Sequence, residues 1–327
     1  MIKPIDIHTH GFPASVLRHF AAKYPAHFRL EERRSGDLVA LWGGVGVPLP
    51  AWIEDERLRA LERDQVALEI LSAPTPVYAQ VDDETATFCE LMNAFQAEVA
   101  ERYPRCFRSF IHLPIHDLAA TREALRRWRD HPMTAGIVLG SNVGGLYPGD
   151  EALLPVWEEI AASGLAVFIH PLGPCGATGP IPAVIFDFVN DTSRAAATII
   201  YSGLLDRFPD LRIILAHLGG SLPYHPRRLD FVLHPHFPAS PAAKLRRLPS
   251  EYVQNFYVET AQGFHRPSFD LARTVFGLDH MLYGSDFFLF DSPFRSELNA
   301  FLNTLALSEA ERQTILRDNA RRLLRGL

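Results

Sequence analysis

Leu165-Ala-Val-Phe-Ile-His170 and Leu211-Arg-Ile-Ile-Leu-Ala-His217 are the stretches whose reading decides the fold. Each is short, nearly continuous in apolar residues and closed by a histidine. A strand without polar alternation is covered on both faces, as in a parallel sheet; a half-exposed antiparallel strand would alternate. Outward from these two, the same kind of run recurs at residues 4–8, 67–72, 107–113, 135–140, 255–260 and 281–286, which makes eight strands with 165–170 and 211–217. Segments of helical period separate them at 54–63, 84–103, 118–130, 150–163, 193–208, 223–232 and 266–276, and two more follow at 293–304 and 308–325. Eight strand–helix units predict an α/β fold, a (β/α)8 TIM-type barrel, as one domain over residues 1–327. A doubly wound sheet would carry a Gly-rich turn after an early strand, whereas here the first strand runs into His8-Thr-His10. Residues 11–52, with Gly43-Gly44-Val-Gly46, Pro48 and Pro50, are too long for a bare loop and read as a small insertion or lid with its own short structure.

Composition narrows the class of partner. With 47% hydrophobic and 21% charged residues among 327, the chain has the make-up of an ordinary globular protein. A formal charge of −6 and a pI near 6.2 argue against a nucleic-acid or anionic-membrane surface and leave a small molecule as the expected partner. Lysine occurs only at Lys3, Lys23 and Lys244, so the positive charge is almost all arginine, which forks onto carboxylates and cannot act as a base. Cys89, Cys106 and Cys175 form no CxxC pair, and the start of the sequence shows no basic-then-apolar leader, so a reducing cytoplasm is expected. No run of about 18 apolar residues suggests a membrane span.

The chemistry gathers at strand ends. Alternate residues of a strand face one side, so His8 and His10 can converge on one ion. His170 ends the fifth strand, His217 the sixth, and Asp286 the eighth, which in a barrel puts all five at the C-terminal mouth where active sites are built. One strand-end histidine is readily explained by a backbone hydrogen bond; five such residues at corresponding positions point to a site. A second His-x-His, His234-Pro-His236, follows a helix in Pro-rich sequence and reads as a surface turn. Three imidazoles and a carboxylate suit one divalent ion with an open position, Zn²⁺ first, Mn²⁺ or Fe²⁺ next. The fourth strand ends without a lysine to bridge two ions, which favours a mononuclear centre. With His8, His10, His170 and Asp286 on the ion, His217 is left as the acid or base.

Together, Asp6-Ile-His-Thr-His10, Phe168-Ile-His-Pro171, Ala216-His-Leu-Gly-Gly220 and Gly284-Ser-Asp286 resemble the amidohydrolase superfamily, and more closely its branch around aminocarboxymuconate semialdehyde decarboxylase. The likeness extends to Leu71-Ser-Ala-Pro74 and Asp206-Arg-Phe-Pro-Asp-Leu-Arg-Ile213. It implies a distorted barrel with that ligand set, His217 and Asp286 as catalytic groups, and decarboxylation of an aromatic or unsaturated carboxylic acid. Metal-dependent hydrolysis of an amide, ester, lactone or carbon–carbon bond is the alternative, and a barrel that binds metal without turnover is a third reading. The resemblance further implies arginines on the substrate's carboxylates, one after the insertion, for which Arg57 and Arg59 are candidates, and one from a neighbouring subunit, matched by Arg228. A homodimer is therefore expected. The pocket wall departs from the branch, with Leu172-Gly-Pro-Cys175 after His170-Pro171 and Phe287-Phe288 after Asp286.

Overall fold

The computed structural model describes residues 2–25, 28–32, 38–42, 48–73, 84–172, 181–234, 236, 244–261, 263–287 and 293–327. Eight parallel strands lie side by side in chain order: β1 (Ile5–His10), β2 (Leu68–Ser72), β3 (Phe107–His112), β4 (Thr134–Gly140), β5 (Val167–His170), β6 (Ile213–Leu215), β7 (Tyr257–Glu259) and β8 (Met281–Leu282). The backbone beyond β8 returns to β1, with Ile7 N–H donating to Tyr283 O at 3.1 Å and His10 N–H to Phe287 O at 2.9 Å. These bonds bring the two edges of the sheet together as a (β/α)8 barrel.

The continuous apolar runs explain why the sheet is buried on both faces. Along β5, Val167 and Ile169 pack with Trp157, Ile160 and Ile199 of the helical layer. Phe168, between them, packs with Ile70, Phe110, Val138, Ile214 and Leu282 from the other strands. Period-two alternation thus divides one strand between the barrel interior and the helices.

The helices are α1 (Ala14–Lys23), α2 (Glu54–Arg63), α3 (Glu84–Arg102), α4 (Leu118–Trp128), α5 (Leu154–Ser163), α6 (Ala183–Tyr201), α7 (Leu204–Arg207), α8 (Pro226–Leu229), α9 (Arg266–Phe276), α10 (Phe294–Thr304), α11 (Glu309–Gln313) and α12 (Asn319–Leu323). Residues 11–52 hold α1 and an antiparallel sheet of Phe28–Glu32, Leu38–Trp42 and Pro48–Pro50; Gly43, Gly44 and Gly46 lie outside the described residues. Three helices differ from the sequence reading, of which the one expected over 308–325 is α11, a π-helical turn over Thr314–Asp318 and α12. α6 begins ten residues before 193, because Ile185 and Phe186 face outward and blur the amphipathic period, while Asn190-Asp191 imitates a helix start. The expected helix 223–232 is broken into 3-10 turns around the four-residue α8.

Candidate active site

β1 supplies two candidate ligands. Its pairing with β2 slips between Asp6 and Thr9, and beyond the slip His8 and His10 face one side, ring centroids 4.9 Å apart. The ring of His170, from the end of β5, lies 4.9 Å from His8 and 5.0 Å from His10. Asp286 follows β8 in a left-handed conformation, φ 56°, which turns its carboxylate onto these rings. Its Oδ1 is 3.3 Å from His8 Nε2 and 3.1 Å from His10 Nε2, and those two nitrogens are 3.1 Å apart. All four residues are buried, and one ligand atom from each lies within 4.8 Å of the others.

The partners on the far side of each ring decide what those atoms offer. His8 Nδ1 meets the Glu259 carboxylate at 3.0 Å, and His170 Nδ1 meets the Pro171 carbonyl at 2.9 Å; both partners only accept. His10 Nδ1 meets Ser72 Oγ at 3.1 Å, and that hydroxyl gives its own hydrogen to Thr9 O. Each Nδ1 therefore carries the proton, and three Nε2 lone pairs converge with a carboxylate. A cluster of acceptors alone requires a cation. Bonds of about 2.1 Å place neighbouring ligands about 3.0 Å apart in an octahedron and about 3.4 Å apart in a tetrahedron, and the three spacings among His8, His10 and Asp286 fall between. The four residues fit one divalent metal ion.

Burial works against charge at Asp286, yet the His8, His10 and His217 imidazoles hold its carboxyl well below the usual range. Burial pushes His170 far down, with His8 and His10 adding to the effect, and it pushes His10 down despite the Asp286 carboxylate. At His8 burial is outweighed by Asp286 and Glu259, which raise its pKa. Neutral His10 and His170 beside an ionised Asp286 are the states a metal needs.

His217 opens an arc of four positive φ values, His217 55°, Leu218 56°, Gly219 77° and Gly220 63°. Left-handed backbone at two non-glycine residues costs of order 1–3 kcal/mol each and is held here by packing. Val189 O lies where a Cβ on Gly220 would sit, 2.0 Å away, so only glycine allows the arc to rest on α6. The arc turns His217 Nε2 to within 3.3 Å of Asp286 Oδ2, while His217 Nδ1 is buried without a hydrogen-bond partner among the described residues.

Two functional residues escaped the sequence reading. Glu259, at the end of β7, accepts from His8 Nδ1, from the His217 N–H at 2.6 Å and from the Ala261 N–H, so one carboxylate orients His8 and His217 together. Its place at a strand end, like those of His170 and His217, was the available signal. Asp191, mid-helix in α6, accepts from the Ser141 hydroxyl, from Asn142 Nδ2 at 3.1 Å and from Tyr147 Oη at 2.5 Å. Ser141 in turn donates its N–H to His170 O at 2.8 Å and accepts from the Leu172 N–H at 2.9 Å, which ties the end of β5 to α6.

The three arginines are placed differently from one another. Arg57 is on the buried face of α2, its Nε donating to Glu69 Oε2 at 2.6 Å and its Nη1 to the His10 carbonyl at 2.9 Å, while its buried Nη2 has no hydrogen-bond partner among the described residues. Arg59 is on the exposed face of the same helix. Arg228, exposed in α8, lines a cleft of about 660 Å³ with Asp187, Asp191, Arg194 and His225, and neither it nor Arg59 contacts the ligand cluster. His234 and His236 are exposed; Pro74, Cys175 and Phe288 lie outside the described residues.

The chain belongs to the amidohydrolase family, whose sequence profile matches residues 5–326. It is 29% identical over 300 residues to the gamma-resorcylate decarboxylase of Polaromonas sp. (strain JS666), which covers 84% of this chain and 87% of the relative. The structure of 5-carboxyvanillate decarboxylase from Sphingomonas paucimobilis superposes with a TM-score of 0.85 at 24% identity over 99% of both chains. A dihydroxybenzoic acid decarboxylase from Polaromonas sp. JS666, solved with manganese and 2-nitroresorcinol, gives 0.78 at 24% identity over 99% of this chain and 97% of that one. At that identity the structural likeness speaks to the fold, a barrel shared end to end.

Proposed function

We propose that the protein is a metal-dependent decarboxylase of a small aromatic acid with a hydroxyl beside its carboxylate. The observation that carries this is the convergence of three Nδ1-protonated imidazoles and Asp286, with His217 Nε2 at 3.3 Å from Asp286 Oδ2. His8, His10, His170 and Asp286 would hold one divalent ion, Zn²⁺ by preference for three imidazoles and a carboxylate, with Mn²⁺ and Fe²⁺ as substitutes. When bound, the ion supplies positive charge for the acid's oxygens. His217 and Asp286 share a proton across Nε2 and Oδ2 and deliver it to the ring carbon that bears the carboxylate. The carbon–carbon bond then breaks, its electron pair restores the ring and carbon dioxide leaves.

The substrate class is suggested by relatives whose names are those of hydroxybenzoate decarboxylases. Carbon dioxide release from a panel of salicylates, resorcylates and muconic acids, beside amide, ester and lactone hydrolysis, tests the reading. Hydrolysis without carbon dioxide release overturns it. We also read the chain as a cytoplasmic homodimer. Free Cys89 and Cys106 are in keeping with a reducing compartment. Exposed Ile185, Phe186, Tyr224 and Phe231, on α6 and around α8, offer an apolar surface for a second copy, with Arg228 beside it for the copy's site.

A further inference from the structure

Behind the ligands, in the layer between the sheet and helices α2 and α10, four charged side chains are buried together. Asp6, Glu69, Arg57 and Arg295 are each at most 1% exposed, two carboxylates against two guanidinium groups. Arg295 Nη2 spans Asp6 Oδ2 at 2.9 Å and Glu69 Oε1 at 2.7 Å. Arg57 joins Glu69 to the carbonyl of His10. Asp6 Oδ1 accepts the N–H of His8 at 3.3 Å and of Ser285 at 3.0 Å, and its Oδ2 accepts the Ser285 hydroxyl at 2.5 Å. The Phe287 ring lies 3.8 Å from the Arg295 guanidinium carbon and 4.8 Å from that of Arg57. The quartet thus grips the backbone at His8, His10 and Ser285, and its two guanidinium groups pack on the ring of Phe287, on the other side of Asp286.

Four buried charges are a poor way to add stability, since an apolar set of the same volume generally does as well or better. Directional bonds give something apolar packing cannot, a fixed separation between two chain segments. β1 carries two ligands and the turn after β8 carries a third, and the barrel closes between them. We propose that the Asp6–Arg295–Glu69–Arg57 quartet sets the distance of His8 and His10 from Asp286, and hence the protein's affinity for its metal, with Asp6 and Arg295 as positioning residues.

The inference rests on the metal centre proposed above. The test is titration of the metal-free protein with Mn²⁺, followed by calorimetry and by the Mn²⁺ spin-resonance spectrum, in wild type, Arg295→Lys and Ser285→Ala. Lysine keeps the charge and loses the fork; alanine removes one hydroxyl and leaves all four charges. Arg295→Lys should raise the Mn²⁺ dissociation constant about 10- to 100-fold, the scale seen when a group behind a metal ligand is lost, and broaden the spectrum. Ser285→Ala should move both in the same direction by less, and it decides alone if the lysine variant does not fold. Wild-type affinity and spectrum in the folded variants would overturn the inference, leaving the quartet a structural element. Failure of the wild type to bind one ion would instead sink the metal centre itself.

Discussion

At the scale of single residues, the proposed roles separate groups that hold an ion from one that moves a proton. His217→Asn should lower turnover about 10²- to 10⁴-fold while metal content stays near that of wild type, whereas His8→Ala should lose both; metal analysis beside the rate distinguishes the two. Full activity in His217→Asn would remove it from the reaction. His112 makes a different prediction. Burial and the nearby His10 push its pKa down to about 3, and its Nε2 accepts the Ala73 N–H. The unfolded chain, with His near 6.5, takes up that proton first, so this contribution to stability is full above about pH 6.5 and lost as the pH falls toward 3, at up to about 1.4 kcal/mol per pH unit. Urea unfolding from pH 7 to pH 4 should show a shallower pH dependence in His112→Gln, which keeps an acceptor but cannot titrate.

At the scale of elements, α6 is the brace for two loops of the barrel mouth. Its Asp191 gathers Ser141, Asn142 and Tyr147 from the chain after β4, and its Val189 carbonyl fixes the arc after β6. Asp191→Ala removes the acceptor of three hydrogen bonds, from buried Ser141 and Asn142 and half-buried Tyr147, each loss costing about 1–3 kcal/mol if nothing replaces the bond. The variant should melt several degrees lower and bind metal more weakly through His170. An unchanged melting temperature would mean that water takes the carboxylate's place. The sequence concealed this hub because the helix start was placed too late; once α6 begins at Ala183, Asp191, Ala195 and Ile199 fall on one inward stripe.

At the scale of the whole molecule, a site built from β1, β5 and the turn after β8 makes the metal a crosslink across the barrel. Free ion at about 100 times its dissociation constant adds about 2.7 kcal/mol to stability. Chelation should therefore lower the calorimetric melting temperature by several degrees and abolish turnover, with Mn²⁺ or Zn²⁺ restoring both. No such shift would argue that the metal does not bind the folded chain preferentially. Glutamate in the apolar surface of α6, as Phe186→Glu, should move a dimer to the monomer position in gel filtration and leave the barrel's circular dichroism intact. Coincident elution of the variant and wild type would place any subunit contact elsewhere.

The sequence by itself determined the barrel and the convergence of His8, His10, His170, His217 and Asp286, because both follow from local rules: continuous apolar runs make doubly covered strands, and ligands at strand ends share one mouth. It did not determine the groups behind them. The resemblance made Arg57 a candidate for the substrate, and charge on an amphipathic helix usually faces out; only the packed structure showed it turned inward onto Glu69 and His10. Glu259 meets His8 across 251 residues of chain, and Arg295 meets Asp6, behind the candidate ligands, across 289. No periodicity encodes a contact of that range. Which atoms of each imidazole are offered to an ion was likewise decided by tertiary structure, since the proton on each Nδ1 is placed by an acceptor that folding alone brings within reach.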